Sequence, residues 1–206
     1  MHLVRAAAIA AGAAVLFAAW PGGAWATDGP PPLQAVQAAQ AVQAVQAVQA
    51  VQAVQAVHEA IHQRFVLADD LATWGRTDHW ATPGELAAAG QGDCEDLAIA
   101  KYFALRAAGV PDDRLRLAYA HLRIGDSHEV VRAHMVLAYL PPGAEALILD
   151  SLLVEVRPVS RRPDLDVLLS FNAEGIWPGL ARGLPVREPG RLVSWQRLLD
   201  RVAAAE

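Results

Sequence analysis

The sequence predicts an α+β fold, in which a helix is followed by an antiparallel sheet. Residues 94–108 carry apolar side chains at helical spacing and are followed by Gly109 and Pro111, which favour the end of a helix. Three later segments are rich in Val, Leu, Ile and Tyr, as strands are. Pro141-Pro142-Gly143 separates the second of these segments from the third and predicts a tight turn between paired strands.

The first 26 residues have the pattern of a signal peptide for export. A short basic start precedes an apolar run from Ala6 to Ala19, and Ala24-Trp25-Ala26 forms a cleavage site of the small-x-small kind. We therefore interpret residues 1–26 as a cleaved signal peptide and expect the mature chain to begin at Thr27. A membrane anchor is the alternative, but the apolar run is shorter than the roughly 20 residues that a spanning helix needs.

Residues 34–57 are a repeat of Gln-Ala-x triplets with eight glutamines. Three residues advance an α-helix by about 300°, so the Gln and Val stripes wind around the axis and define no fixed apolar face. We expect a solvated or weakly packed helix that continues into residues 58–61. Residues 27–57 are therefore assigned as a low-complexity spacer, and the folded unit is expected to start near Ala60 within a domain of residues 58–206.

The folded unit has one predicted helix before the central one and one at its end. Thr82-Pro83 followed by Glu85 is typical of the start of a short helix. The central helix opens at Cys94, which places this residue in the first turn. Strands are predicted, in order, over residues 115–122, 133–140 and 147–156, and a terminal helix over 194–205.

The charge balance and the cysteine content restrict the function classes. The chain has 22 acidic and 17 basic residues, which gives no reason to expect a nucleic-acid partner. Cys94 is its one cysteine and cannot form an internal disulfide, although exported proteins usually pair their cysteines. Cys94 is therefore either an inert, buried thiol or a residue kept for its reactivity.

The segment Gly92-Asp93-Cys94-Glu95-Asp96 surrounds this thiol with three carboxylates. Neighbouring negative charge disfavours the thiolate, which is the reactive form of cysteine. Asp93 and Asp96 fit the start of a helix, where an acid can cap free amides. Several hard oxygen ligands also fit calcium. Both interpretations of the acids remain open at this point.

A histidine and an aspartate are predicted to meet across the second pair of strands. If the turn is centred on residue 142, His134 and Asp150 lie directly opposite each other, and if it is centred on Gly143 they are diagonal neighbours. An aspartate that accepts a hydrogen bond from one ring nitrogen leaves the other nitrogen free to act on a thiol. His121, His128 and Glu129 do not have the spacing of a metalloprotease motif and are interpreted as loop residues.

The segments that carry these residues closely resemble the bacterial transglutaminase-like cysteine peptidases, specifically the LapG-type periplasmic proteases. The resemblance covers roughly residues 69–177 and is most specific in GDCED-x-AIAKY. It implies a papain-like α+β core in which Cys94 is the nucleophile, His134 the general base and Asp150 the residue that orients the histidine. It also implies calcium bound by Asp93, Glu95 and Asp96.

The resemblance further implies a biological role. Members of this family cleave the N-terminal retention module of very large surface adhesins, which releases the adhesin and disperses biofilm. An inner-membrane receptor that senses cyclic di-GMP holds them inactive. The sequence therefore predicts a periplasmic, calcium-dependent cysteine endopeptidase. Two alternatives are an acyl transferase of the transglutaminase kind, which shares the chemistry up to the acyl-enzyme, and a non-catalytic calcium-binding module.

Overall fold

The computed structural model describes residues 33–125 and 130–205. Five α-helices lie within these ranges: α1 (Leu33–Arg64), α2 (Asp70–Trp74), α3 (Pro83–Ala89), α4 (Cys94–Ala107) and α5 (Val193–Ala205). Eight strands lie there too: β1 (Val66–Leu67), β2 (Gln91–Gly92), β3 (Leu115–Ile124), β4 (Val130–Tyr139), β5 (Leu147–Leu149), β6 (Arg157–Pro158), β7 (Leu165–Phe171) and β8 (Ile176–Pro178). The predicted signal peptide and the residues His128 and Glu129 lie outside the described residues.

A six-stranded antiparallel sheet forms the centre of the fold. Its strand order is β6-β5-β4-β3-β7-β8, and β1 and β2 form a separate parallel pair. Helix α4 packs against β4 and β3 and also against α1. The prediction of an α+β fold with the cysteine helix packed on an antiparallel sheet is therefore confirmed.

The core between α4 and the sheet explains why this helix forms where the spacing predicts. Ile99, Tyr102 and Leu105 are fully buried and join one apolar cluster with residues from the sheet and from α5. Trp195 of α5 lies edge-on to Tyr102, with ring centroids 5.4 Å apart. Burying side chains of this size stabilises the fold by about 1.5–3 kcal/mol each, which is more than helix propensity supplies.

Helix α1 contains the whole triplet repeat, and its last turns belong to the core. Ala50 and Val54 are buried in the main apolar cluster, and Val51 and Val57 pack against it. The expectations that the repeat has no fixed apolar face and that the folded unit starts near Ala60 are therefore wrong. A face of period 3.6 can run along this helix through Ala and Val positions alone, because the alanines are apolar as well.

Two smaller expectations are corrected by the sheet. The strand predicted over residues 147–156 ends at Leu149, and the chain turns at Asp150, whose backbone carbonyl accepts a hydrogen bond from the amide of Leu153 at 3.3 Å. His121 lies on β3 rather than in a loop. It pairs with Ala133 of the neighbouring strand.

The segment before α4 is fixed by local capping. Thr82 accepts a hydrogen bond from the amide of Glu85, and the Glu85 side chain accepts one from the amide of Thr82, which is a complete capping box. The short helix predicted from Thr82-Pro83 and Glu85 is therefore present as α3. No helix in the described part of the chain combines the length and hydropathy that a membrane span requires.

Candidate active site

The N-terminus of α4 positions Cys94. Asp93 is the N-cap, and its Oδ1 accepts hydrogen bonds from the amides of Glu95 at 3.1 Å and Asp96 at 3.3 Å. This cap starts the helix at Cys94, so the thiol lies in the first turn as predicted. The positive end of the helix dipole favours negative charge at this position.

The surroundings of the thiol nevertheless favour its protonated form. Cys94 is half-buried, and its Sγ donates a hydrogen bond to Oε2 of Glu95 at 3.0 Å. Burial raises the pKa of Cys94, and the charge of Glu95 raises it further, whereas a hydrogen bond from the backbone of Met135 lowers it. The first two effects exceed the third, so in this arrangement the sulfur retains its proton at neutral pH.

His134 and Asp150 form a direct, buried contact on the sheet. Nε2 of His134 lies 2.7 Å from Oδ1 of Asp150, and the two side chains are 5% and 0% exposed. Leu137 of β4 pairs with Leu149 of β5, so the turn is centred on Gly143. The two side chains are therefore diagonal neighbours, which is the second of the two arrangements expected from the sequence.

Several groups keep the carboxylate of Asp150 ionised. Burial alone raises its pKa, but the hydrogen bond and charge of His134, the amide of Leu152 at 2.9 Å and the guanidinium of Arg162 together lower the pKa below its usual range. Nη1 of Arg162 lies 2.7 Å from Oδ2 of Asp150. The buried Arg162 also binds Asp164, with its Nη2 2.8 Å from Oδ2.

Sequence reasoning missed Arg162. It lies in the segment Arg161-Arg162-Pro163-Asp164. In sequence, Arg162 and Asp164 look the same as two residues that form an ion pair on the surface. Only the fold shows that this arginine is buried beside Asp150. Because a buried arginine is costly without partners, the two carboxylates explain why its charge is tolerated there.

Cys94 lies beside strand β4, which carries His134. The sulfur of Cys94 lies beside the backbone of Met135, which is the residue that follows His134 on β4. The thiol hydrogen bond is directed to Glu95, and the imidazole is bound through Nε2 to Asp150. The structure thus places the thiol beside the strand that carries His134, and His134 and Asp150 are already in contact.

An acidic cluster lies beside the thiol. Carboxylate oxygens of Asp70, Asp93 and Asp96 come within 4.8 Å of one another, and oxygens of Asp93 and Glu95 come equally close to the Cys94 sulfur. Asp93 and Asp96, which were predicted as metal ligands, therefore converge. Glu95 is directed to the thiol instead. Asp70 was not predicted, because it precedes Cys94 by more than 20 residues and only the fold places it there.

The electrostatics of this cluster are unfavourable without a cation. Burial, together with the neighbouring negative charges, raises the pKa of Asp93 to about 9. Burial raises that of Asp96 to about 6, although it accepts hydrogen bonds from the amide of Ala81 at 2.6 Å and from Trp74 at 3.2 Å. Oδ1 of Asp70 is buried without a hydrogen-bond partner among the described residues. A buried acceptor of this kind is costly unless something binds it.

The cluster fits a calcium ion by its chemistry and its size. Calcium takes oxygen ligands at 2.3–2.6 Å, so two ligand atoms of one ion are separated by at most about 5 Å. The oxygens of Asp70, Asp93 and Asp96 meet this condition. The unpartnered oxygen of Asp70 supplies a ligand that the internal hydrogen bonds leave free.

The fold and these side chains together define a class of protein. A cysteine at the start of a helix, packed on a sheet that presents a buried His-Asp pair, is the arrangement of thiol hydrolases of the papain and transglutaminase type. The chain belongs to the bacterial transglutaminase-like cysteine proteinases, whose family model matches residues 33–162. The match includes the whole of α1 with its repeat.

Solved structures of LapG are similar to this chain in both sequence and fold. The calcium-bound LapG of Legionella pneumophila is 41% identical and superposes with a TM-score of 0.62, over 72% of this chain and 78% of that chain. The EGTA-treated form of the same protein is 42% identical with a TM-score of 0.62, over 72% and 76%. No curated protein sequence matches the chain. Family membership supports a peptidase activity with a protein as substrate.

Proposed function

We propose that this protein is a periplasmic, calcium-dependent cysteine endopeptidase whose triad is Cys94, His134 and Asp150. The observation that carries this proposal is the buried contact of 2.7 Å between His134 and Asp150 on the strands against which the Cys94 helix packs. A buried histidine held by an ionised carboxylate has one ring nitrogen fixed and one free for proton transfer. The free nitrogen is Nδ1, because Nε2 is bound to Asp150.

In the proposed reaction each residue has one role. His134 accepts the proton of the Cys94 thiol as the sulfur attacks a peptide carbonyl, and it returns that proton to the amine that leaves. Water then hydrolyses the thioester and regenerates the thiol. Asp150 holds the imidazole in place and stabilises its charged form. The thiol hydrogen must first turn from Glu95 towards His134.

The start of α4 supplies a donor for the developing oxyanion. The side chain of Asp93 binds the amides of Glu95 and Asp96, and its carbonyl binds the amide of Leu97. The amide of Cys94 has no partner among the described residues and is therefore the helix-start donor available to a substrate carbonyl. Donors of this kind contribute about 2.7–4 kcal/mol to transition-state stabilisation.

Asp93 and Asp96, with Asp70, would hold the calcium ion. The ion would supply positive charge that offsets the carboxylates around Cys94. The LapG structure of Legionella pneumophila that is described as calcium-bound supports this assignment for a related chain. The family resemblance also supports the N-terminal retention module of a large surface adhesin as substrate, with biofilm dispersal as the result, and an inhibitory inner-membrane receptor for cyclic di-GMP as partner.

The proposal is tested by cleavage of a recombinant adhesin retention module from the same organism, followed by mass spectrometry of the products. We expect Cys94→Ala and His134→Ala to abolish cleavage while circular dichroism shows an unchanged fold. His121→Ala is the matched control, because His121 is exposed on the neighbouring strand. This variant should cleave the substrate normally. Normal cleavage by Cys94→Ala would reject the mechanism. Incorporation of an added primary amine into the product would identify the acyl transferase instead.

A further inference from the structure

The turn that carries Asp150 is bound to the end of α1 by two histidines. Nε2 of His62 lies 3.1 Å from the backbone carbonyl of Asp150, and Nε2 of His58 lies 2.9 Å from that of Leu153. The two histidines are four residues apart, so they lie on the same face of the helix, with ring centroids 4.4 Å apart. They bind the two ends of a single turn.

A buried lysine supports the same turn from α4. Lys101 is fully buried, and its Nζ donates a hydrogen bond to the carbonyl of Leu149 at 3.5 Å. Three helical side chains therefore reach the backbone of residues 149–153, two from α1 and one from α4. The carbonyls of Asp150 and Leu153, which follow the end of β5 at Leu149, contact these histidines and no neighbouring strand among the described residues.

The histidines act as neutral donors. Burial, and then the positive charge of Lys101, lowers the pKa of His58 to about 4, and the same two causes lower the pKa of His62. A neutral imidazole has a single N–H, so donation by Nε2 fixes its tautomer. Removal of the His58 ring would leave the Leu153 carbonyl without a partner among the described residues, and removal of the His62 ring would leave the Asp150 carbonyl with the amide of Leu153 alone.

The position of this turn determines where the Asp150 carboxylate lies. Its Oδ1 is shared by His134 and the amide of Leu152, and its Oδ2 faces Arg162, so the side chain is fixed relative to the sheet. The backbone from which the side chain extends is fixed relative to α1 by His62. A shift of this backbone would move the carboxylate with respect to Nε2 of His134, even though no reacting atom touches α1.

We propose that His62 and His58 are positioning residues for catalysis, which hold the Asp150 turn against α1 and thereby keep the imidazole of His134 aligned. The inference rests on the proposed function, because it assigns a role in the chemistry of that triad. It makes the end of the repeat-containing helix part of the catalytic apparatus.

Steady-state kinetics with the recombinant retention module separate this role from simple stabilisation. We expect His62→Ala to lower kcat about tenfold with KM changed less than twofold at a temperature where the variant is fully folded. His62→Gln should recover at least half of the wild-type kcat, because the Gln Nε2 can donate to the same carbonyl. Gln63→Ala, on the exposed side of the same helix, is the control and should be unchanged.

A double-mutant cycle identifies the residue through which His62 acts. In an Asp150→Ala background, His62→Ala should lower the residual kcat by less than twofold. An equal, tenfold loss in both backgrounds would show a general structural effect and overturn the inference, as would an unchanged kcat in His62→Ala alone.

Hydrogen exchange gives a measurement that does not depend on activity. The amides of Leu152 and Leu153 bind groups of Asp150, and we expect their exchange to be at least fivefold faster in His62→Ala than in Gln63→Ala. Unchanged exchange would overturn the inference while leaving the proposed function intact. Absence of any Cys94-dependent cleavage by the wild-type enzyme would instead reject the proposed function and the catalytic role of His62 together, whatever the exchange rates.

Discussion

The groups around Cys94 shift the pKa of its thiol in opposite directions. The start of α4 and the backbone of Met135 favour the thiolate, whereas burial and the carboxylate of Glu95 favour the thiol. Glu95 has the closest polar contact, since its Oε2 accepts the thiol hydrogen at 3.0 Å. Burial cannot be changed without changing the fold. Among the groups that raise the pKa of Cys94, Glu95 is therefore the one whose substitution should lower this pKa most.

Replacement of Glu95 by Gln should make the thiol more reactive in calcium-free protein. The substitution removes a negative charge beside the sulfur and keeps an oxygen that can accept its hydrogen. We expect the pKa of Cys94 to fall by roughly one unit, which corresponds to about 1.4 kcal/mol, and alkylation by iodoacetamide at pH 8 to be about tenfold faster. Glu155→Gln, which alters an exposed acid, should leave the rate unchanged. Slower alkylation of Glu95→Gln would contradict this account.

At the scale of elements, α1 shows how one repeat can occupy two environments. Its triplets are all Gln-Ala-Val from Gln40 to Val57, yet Val45 is 56% exposed and Val54 is fully buried. The difference arises from α4, against which only the later turns of α1 pack. The family match, which begins at residue 33, also includes this helix.

Two valines from the same repeat give a matched test of this packing. We expect Val54→Ala to lower the free energy of unfolding by about 2 kcal/mol, because it removes two buried methyl groups and leaves a cavity. Val45→Ala should change it by less than about 0.5 kcal/mol, since the side chain is exposed. Urea denaturation measures both. Equal effects of the two substitutions would show that the end of α1 is not part of the core.

At the scale of the whole molecule, the acidic cluster links folding stability to pH and to calcium. Burial and mutual repulsion raise the pKa of Asp93 to about 9, and burial raises that of Asp96 to about 6, both above the value near 4 of an unfolded chain. The folded state therefore binds protons more tightly than the unfolded state. Through these groups, stability falls as pH rises from about 4, and the loss is complete above about 9.

Calcium should oppose this loss, because the cation and the protons compete for the same carboxylates. A hundredfold excess over Kd stabilises a protein by about 2.7 kcal/mol, and a protein of this size gains roughly 2–4 °C in Tm for each kcal/mol. We expect calcium to raise Tm by about 5–10 °C at pH 8 and by much less at pH 5. Thermal melts with calcium and with EGTA measure the two shifts.

Asp70 provides the matched test of where the ion binds. Asp70→Asn should reduce the calcium-induced shift in Tm at pH 8. The substitution removes the charge of a side chain whose Oδ1 is buried, lies in the acidic cluster and has no hydrogen-bond partner among the described residues. Asp113→Asn, which alters an exposed acid beyond the C-terminal end of α4, should leave the shift unchanged. Shifts that are equal at both pH values, or unaffected by Asp70→Asn, would show that calcium acts elsewhere.

The parts of the molecule that are local in sequence could be predicted from it. The start of α4 at Cys94 follows from the cap of Asp93, and the meeting of His134 with Asp150 follows from a short hairpin whose turn contains Pro141 to Gly143. In each case the interacting residues belong to one helix start or to one hairpin, and the geometry of that element determines their relation.

The remaining features depend on contacts between distant segments. Asp70 in the acidic cluster, Arg162 beside Asp150, and the histidines of α1 on the Asp150 turn are all brought to the site by packing of separate elements. The sequence by itself therefore determined the two halves of the candidate site, a capped cysteine and a paired histidine. Only the tertiary structure decided on which strands and helices those halves pack and which side chains support them, because burial, and the pKa shifts that follow from it, arise when the elements pack.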